Sequence, residues 1–361
     1  MVYFIIFLIL VLFSILEYYS RTEKKKKQLF FLSSSILLLF CVLRYNVGFD
    51  YDSYEYVYSK LPASFDINYD LSGITGEILF LYIFMLLKSI GVSYPIANSL
   101  IILTINLLFL RFISKHSLYK CFSLLILFSL YFVFIFSTLR QGLSMSLFLG
   151  FAFPLLEEKK YIKYYITILI LTLIHTSIVV TCILTIVMKY KNQIKSFDLI
   201  LLFVCFAIAL IPNPILLNTA ETIGRGEGYI TSTSISYFAL FNRTLLFIFI
   251  YIFCKPETGK YANMKYFYFI GFLLYIVTAQ SDLISSRISA SIKTLDMILI
   301  PLVLHRLPQK FYPVFMVLIS IYMGIIFMHL ISGIATLSGY NNGWEYPYKM
   351  LLGNEYYFDR K

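Results

Sequence analysis

Apolar runs of roughly 15 to 20 residues recur along the whole chain, separated by short polar breaks, and this pattern is the helical way to cross a bilayer. In hydrocarbon every backbone polar group must be satisfied within the protein, which leaves helices or closed barrels, and no period-2 alternation of the barrel kind is present. Composition removes the soluble alternative: 60% of the 361 residues are hydrophobic and only 14% are charged, against about a quarter charged in ordinary soluble domains. We expect an all-α polytopic membrane protein, with residues 1–361 forming a single integral membrane domain.

The net charge of +11 would suggest nucleic acid if the cations formed one patch. They sit instead mostly in short loops, where Lys and Arg mark the cytoplasmic side of membrane helices, so no nucleic-acid partner is expected. Cys41, Cys121, Cys182, Cys205 and Cys254 lie in or beside apolar runs without C-x-x-C spacing, which indicates small buried hydrophobes rather than a metal site or a disulfide framework. The first run, Val2 to Tyr19, is followed rather than preceded by its basic cluster, Lys24 to Lys27, and is expected to be a retained span with its N-terminus outside.

From that anchor the run Leu29 to Leu43 leads back out, and residues 44–76 form an outer loop. Inner loops are expected around Arg111 to Lys120, Lys159 to Lys163, Lys189 to Lys195, Lys255 to Lys265, and Arg306 with Lys310. Parity requires that one of the runs Ile78 to Ile90 and Pro95 to Phe112 does not cross. The first is short, carries Lys88 and ends at Gly91, so it is expected to be re-entrant or interfacial. Tyr164 to Met188 is flanked by lysines on both sides and is expected to be a tight hairpin that breaks around His175, Thr176 and Ser177; a single span is the rival. The expected total is about twelve crossings with both termini outside, and with outer segments at 44–76, 212–235 and 332–361.

Charged residues in or beside spans are costly in lipid, which makes each a functional candidate. Four arginines qualify: Arg44, Arg140, Arg243 and Arg287. The topology puts the first, second and fourth at the outer face, where three guanidinium forks would suit a multiply charged anion such as a phosphate. His175, at the hairpin break on the same side, is suited to proton transfer or to a phosphate contact. The loop after Arg44 interleaves Asp50, Asp52 and Glu55 with Tyr51, Tyr54 and Tyr56, a mixture that suits sugar rings and hydroxyls, and Asp50 or Asp52 could serve as a base toward an attacking hydroxyl. Metalloprotease, phosphate-loop, serine-hydrolase and dinucleotide motifs are absent from the sequence.

In order along the chain, these residues resemble the EpsG/Wzy-like family of bacterial O-antigen and exopolysaccharide polymerases. An R-x-x-V-G-x-D-x-x-x-Y signature is met by Arg44, Val47, Gly48, Asp50 and Tyr54. An R-Q-G helix start is met by Arg140, Gln141 and Gly142. A lone His followed by small residues is met by His175, Thr176 and Ser177; a late arginine in a Ser-rich setting by Arg287; and an aromatic-Pro-Tyr by Tyr346, Pro347 and Tyr348. Phe49 replaces the usual Thr.

The resemblance implies a GT-C-like, O-antigen-polymerase-type helical bundle in the bacterial cytoplasmic membrane. It also implies a metal-independent inverting glycosyltransferase that needs no cofactor and faces the periplasm or cell exterior. Such an enzyme moves a growing glycan from undecaprenyl pyrophosphate to the non-reducing end of a lipid-linked repeat unit. In that setting Arg140, Arg287 and Arg44 would hold pyrophosphate, and His175, Asp50 and Asp52 would handle the proton. Tyr54, Gln141 and Tyr348 would touch substrate. The implied partners are the lipid-linked oligosaccharides, membrane lipid, a Wzz-type chain-length regulator and the repeat-unit flippase. The rivals are a flippase or transporter, which should show inverted repeats that are not visible here, a ligase-type transferase that shares the chemistry, and a scaffold.

Overall fold

The computed structural model describes residues 1–210, 236–254, 259–341, 343–344 and 346–351, and the described part is helical throughout, with one isolated bridge between Arg44 and Met350. The first half contains α1 Val2–Tyr19, α2 Glu23–Val42, α3 Tyr51–Lys60, α4 Ile78–Ser89, α5 Tyr94–His116 and α6 Lys120–Phe136. Next comes α7 Leu139–Leu147, which continues through a π-helical turn, Phe148–Ala152, into α8 Phe153–Glu157. The second half contains α9 Tyr161–Thr172, a 3-10 turn Thr176–Cys182, α10 Ile183–Leu210, α11 Tyr237–Phe253, α12 Lys260–Val277, α13 Asp282–Lys293, α14 Asp296–Arg306 and α15 Tyr312–Leu337. The expected outer loop 212–235 lies outside the described residues, as do the last ten residues of the tail.

Lipid is the solvent for this surface. Along α1, Tyr3, Phe7, Leu10 and Ser14 face inward, while Ile5, Leu8, Leu12 and Leu16 are exposed, so the helix is apolar on both faces. The same holds for α15, where Val314, Leu318, Ile321 and Ile325 are exposed. A helix apolar all round does not belong at a water surface. Four described runs are long and apolar enough to cross a membrane, Val2–Tyr19, Tyr94–His116, Leu139–Glu157 and Tyr312–Leu337, and the bent pair α13 and α14 adds a fifth where the two helices act as one span rather than a re-entrant loop. The count of about twelve crossings goes beyond this, because several apolar runs are cut into pieces. The apolar stretch through 284–306 breaks at Thr294 and Leu295 with a 52° bend. The segment Lys189 to Lys195, expected to be an inner loop, is helical backbone kinked at Tyr190, which divides α10 into two short apolar pieces.

Two other expectations concern short segments. Tyr164 Oη donates to the Thr181 carbonyl at 2.6 Å, which requires α9 and the 3-10 turn to fold back on each other, so the segment is a hairpin and not one span. The helix α4 has 12 residues, about 18 Å of rise, against about 30 Å of hydrocarbon. Lys88 near its end donates to the carbonyls of Tyr58, Ser59 and Leu61 at the end of α3, which lays α4 along the loop that precedes it.

One end of the molecule gathers the first loop, the amino terminus and the described residues near 344 and 346–351. Tyr45 N–H donates to the Lys349 carbonyl at 2.9 Å and Leu351 N–H to Leu43 at 2.7 Å, while the amino terminus reaches the Trp344 carbonyl. Hydrogen-bonded segments lie on one side of a membrane, so residues 43–45, 344, 349–351 and Met1 share a side. The tail expected from 332 begins later, because α15 continues to Leu337.

The turn from α6 into α7 is tight. A side chain at Gly142 would collide with the Phe134 carbonyl, so only glycine lets α7 start against α6 and present Arg140. Gly142→Ala is expected to lower stability by about 1–3 kcal/mol, read as a fall in the melting temperature of the purified protein.

Candidate functional site

The first turn of α7 carries Arg140, and its guanidinium is held by a carboxylate from elsewhere in the chain. Glu77, the residue just before α4, accepts from Arg140 Nη1 at 2.7 Å through Oε2 and faces His175 Nδ1 at 3.1 Å through Oε1. Backbone geometry brings them together: Leu79 N–H donates to the Leu173 carbonyl at 2.9 Å, which docks the start of α4 on the break of the hairpin. The Glu77 and His175 side chains are 7% and 9% exposed. Burial alone would raise the Glu77 carboxyl, but the His175 hydrogen bond and the Arg140 charge outweigh it and hold it at about 2. With Nδ1–H donating to Glu77, the His175 ring presents the lone pair of Nε2, which has no protein partner. Tyr54 completes the set, its hydroxyl 3.4 Å from both Arg140 N and Nε.

Beside this cluster lies a cavity of about 520 Å³. Asp50, Gln141 and Arg287 line it together, and Gln141 Nε2 donates to the Arg287 backbone carbonyl at 3.0 Å, tying α7 to α13. Arg140 sits between Thr138 and Gln141, which both face the cavity. Asp50 is the residue before α3; its N–H donates to Ser137 Oγ at 3.2 Å, which fixes it against the α6–α7 turn. Burial pushes the Asp50 carboxyl up, against the pull of Arg287, Arg140 and Arg44. Arg243, which the expected topology set apart from the outer arginines, lines the same cavity. The arrangement offers fixed cations for a phosphate, a carboxylate for a hydroxyl, and a histidine oriented by a carboxylate.

Three expected site residues lie elsewhere. Arg44 is 1% exposed: Nη1 donates to the Val47 carbonyl, Nη2 donates to Asn98 Oδ1 at 3.0 Å, and the guanidinium lies 4.8 Å over the Phe136 ring. It clamps the loop and is closed off from the cavity. Gly48, at φ +122°, is part of that clamp, because a Cβ there would lie 2.6 Å from Arg44 Nη1. Asp52 is exposed on α3, away from the cavity that Asp50 lines. Tyr348 stacks on Phe40 at 4.7 Å and donates to its carbonyl at 2.7 Å, which holds the tail in place.

Glu77 and Asn98 were missed by sequence reasoning. Glu77 did leave a signal, as the only acidic residue between Asp70 and Glu157. Asn98 left none, since a polar residue within α5 carries no sign of a partner 54 positions away.

The family model described as EpsG family matches residues 27–350. No curated protein and no solved structure matches the chain.

Proposed function

This chain belongs to the EpsG family, whose membership suggests a polysaccharide-polymerase type of function, and on that premise we propose that it lengthens a surface glycan from a polyprenyl-pyrophosphate-linked donor. The donor is a growing chain on undecaprenyl pyrophosphate, and the acceptor is the non-reducing-end hydroxyl of a lipid-linked repeat unit. The observation that carries this reading is the adjacency of the Glu77, Arg140 and His175 set to the cavity lined by Asp50, Gln141 and Arg287.

In the reaction the acceptor oxygen forms a bond to the anomeric carbon as the bond from that carbon to the phosphate oxygen breaks. The electron pair leaves with undecaprenyl pyrophosphate. Arg287 and Arg140 stabilise the charge that develops there, by electrostatic means that need no metal. His175 Nε2 takes the acceptor proton, because Glu77 on Nδ1 stabilises the imidazolium that forms. Asp50 orients the acceptor through its hydroxyls. Entry of the acceptor opposite the departing phosphate inverts the anomeric centre.

We place the site at the outer face of the bacterial cytoplasmic membrane, with a chain-length regulator and the repeat-unit flippase as partners. The discriminating experiment is the surface-polysaccharide profile of a deletion strain. A single repeat unit on its carrier is expected. No surface sugar at all would mean a flippase, and unattached long polymer would mean a ligase.

A further inference from the structure

Two further cations, the half-buried Arg243 and the buried Lys293, line the same cavity as Arg287 and take no part in the displacement. On α13, Ser286, Arg287, Ala290 and Lys293 fall on one face and form one wall. Lys293 is 4% exposed, its ammonium 3.9 Å from the Tyr275 ring centroid. Arg243 comes from α11, with Nη1 3.4 Å from Asp296 Oδ2, an oxygen that also accepts the Tyr131 hydroxyl at 2.8 Å. Asp296 is fully buried, just past the bend between α13 and α14. It holds the Arg243 guanidinium in place, so around this cavity the three cations outnumber the carboxylates Asp50 and Asp296. Cations kept at such depth are functional candidates by default.

Another wall has the opposite character. On α15, Ile326, Leu330, Ile334 and Leu337 form a mainly aliphatic stripe along one face, and they line the cavity together with His329 and Gly333 of the same helix. Cations on one wall and aliphatic side chains on another fit an amphiphile with an anionic head and a hydrocarbon tail. From Arg287 to Lys293 the helix rises about 9 Å, a gap that two long side chains can close on a diphosphate between them.

We infer that Arg243 and Lys293, together with Arg287, form the seat of a polyprenyl diphosphate head, and that the α15 stripe carries the first part of its isoprenoid chain. The inference rests on the glycosyltransferase reading of the same cavity. It leaves Arg140, paired with Glu77, to act at the phosphate nearest the sugar.

The test is binding of undecaprenyl pyrophosphate to the purified full-length protein in detergent micelles, by calorimetry, with undecaprenol as the uncharged probe. Wild type is expected to bind the pyrophosphate lipid at least tenfold more tightly than undecaprenol. Lys293→Gln should lose tenfold or more, and Lys293→Arg should recover most of it. Because Arg243→Gln leaves Asp296 without its partner, the Arg243→Gln/Asp296→Asn pair carries that arm, with a similar loss expected. Wild-type affinity in Lys293→Gln, in a protein whose wild type makes polymer, overturns the seat and leaves the glycosyltransferase reading intact. A wild type that binds no polyprenyl pyrophosphate overturns both.

Discussion

Arg140→Ala is expected to lower the rate of polymer formation by about 10² to 10³, the loss that follows removal of one charge-stabilising group from an enclosed site. The guanidinium is fixed by Glu77 at 2.7 Å and by the turn that Gly142 permits, so it is held in place beside the cavity without reorganising during the reaction. Arg140→Lys separates chemistry from structure. Lysine restores a positive charge opposite Glu77 but not the planar fork that meets a phosphate through two bonds. The lysine variant should therefore reach normal abundance in the membrane while its rate stays well below wild type. The readouts are the polysaccharide ladder, the initial rate on lipid-linked repeat units and an immunoblot of the membrane fraction. Full-length polymer at wild-type rate from Arg140→Ala, at matched protein level, would remove Arg140 from the mechanism.

The sequence made the helical membrane class and the break at His175 legible, because both rest on local rules: hydrocarbon demands satisfied backbones, and a polar triplet inside an apolar hairpin marks its turn. The family resemblance assigned Arg140, Gln141, Arg287 and Asp50 to one site, and the cavity is lined by the last three with Arg140 beside it. What it could not give was direction. Arg44 and Arg140 look alike in sequence, yet Arg44 turns inward to Asn98 and the Val47 carbonyl while Arg140 turns to Glu77. Asp50 and Asp52 differ by two positions at the start of α3, and only the first faces the cavity. Arg243 was set apart by a topology that assigned charges to sides of the membrane, whereas it lines the cavity from α11 and pairs with Asp296, just past the bend at Thr294 and Leu295.

Glu77→Ala is expected to be the most damaging single change for stability and activity together, because one carboxylate serves two partners. Removing it leaves Arg140, whose side chain is 18% exposed, without its counter-ion, and breaking such a buried pair costs about 3–5 kcal/mol. It also frees His175 Nδ1, so the ring is no longer set to present Nε2 as a base. Glu77→Gln separates the two effects: the amide oxygen can still accept one hydrogen bond, which preserves much of the fold, but it cannot stabilise an imidazolium. That variant should keep its affinity for lipid pyrophosphate and lose turnover, a fall in kcat with little change in KM. The acid limb of stability gives an independent check. The Glu77 carboxyl is held at about 2 in the folded protein against an ordinary value of 4.5, so its contribution is complete above pH 4.5 and is lost as pH falls toward 2. The difference in melting temperature between wild type and Glu77→Gln should therefore be largest near neutrality and should shrink across that acid window. A constant difference from pH 7 down to pH 2 would mean that the carboxylate charge does not hold the cluster together.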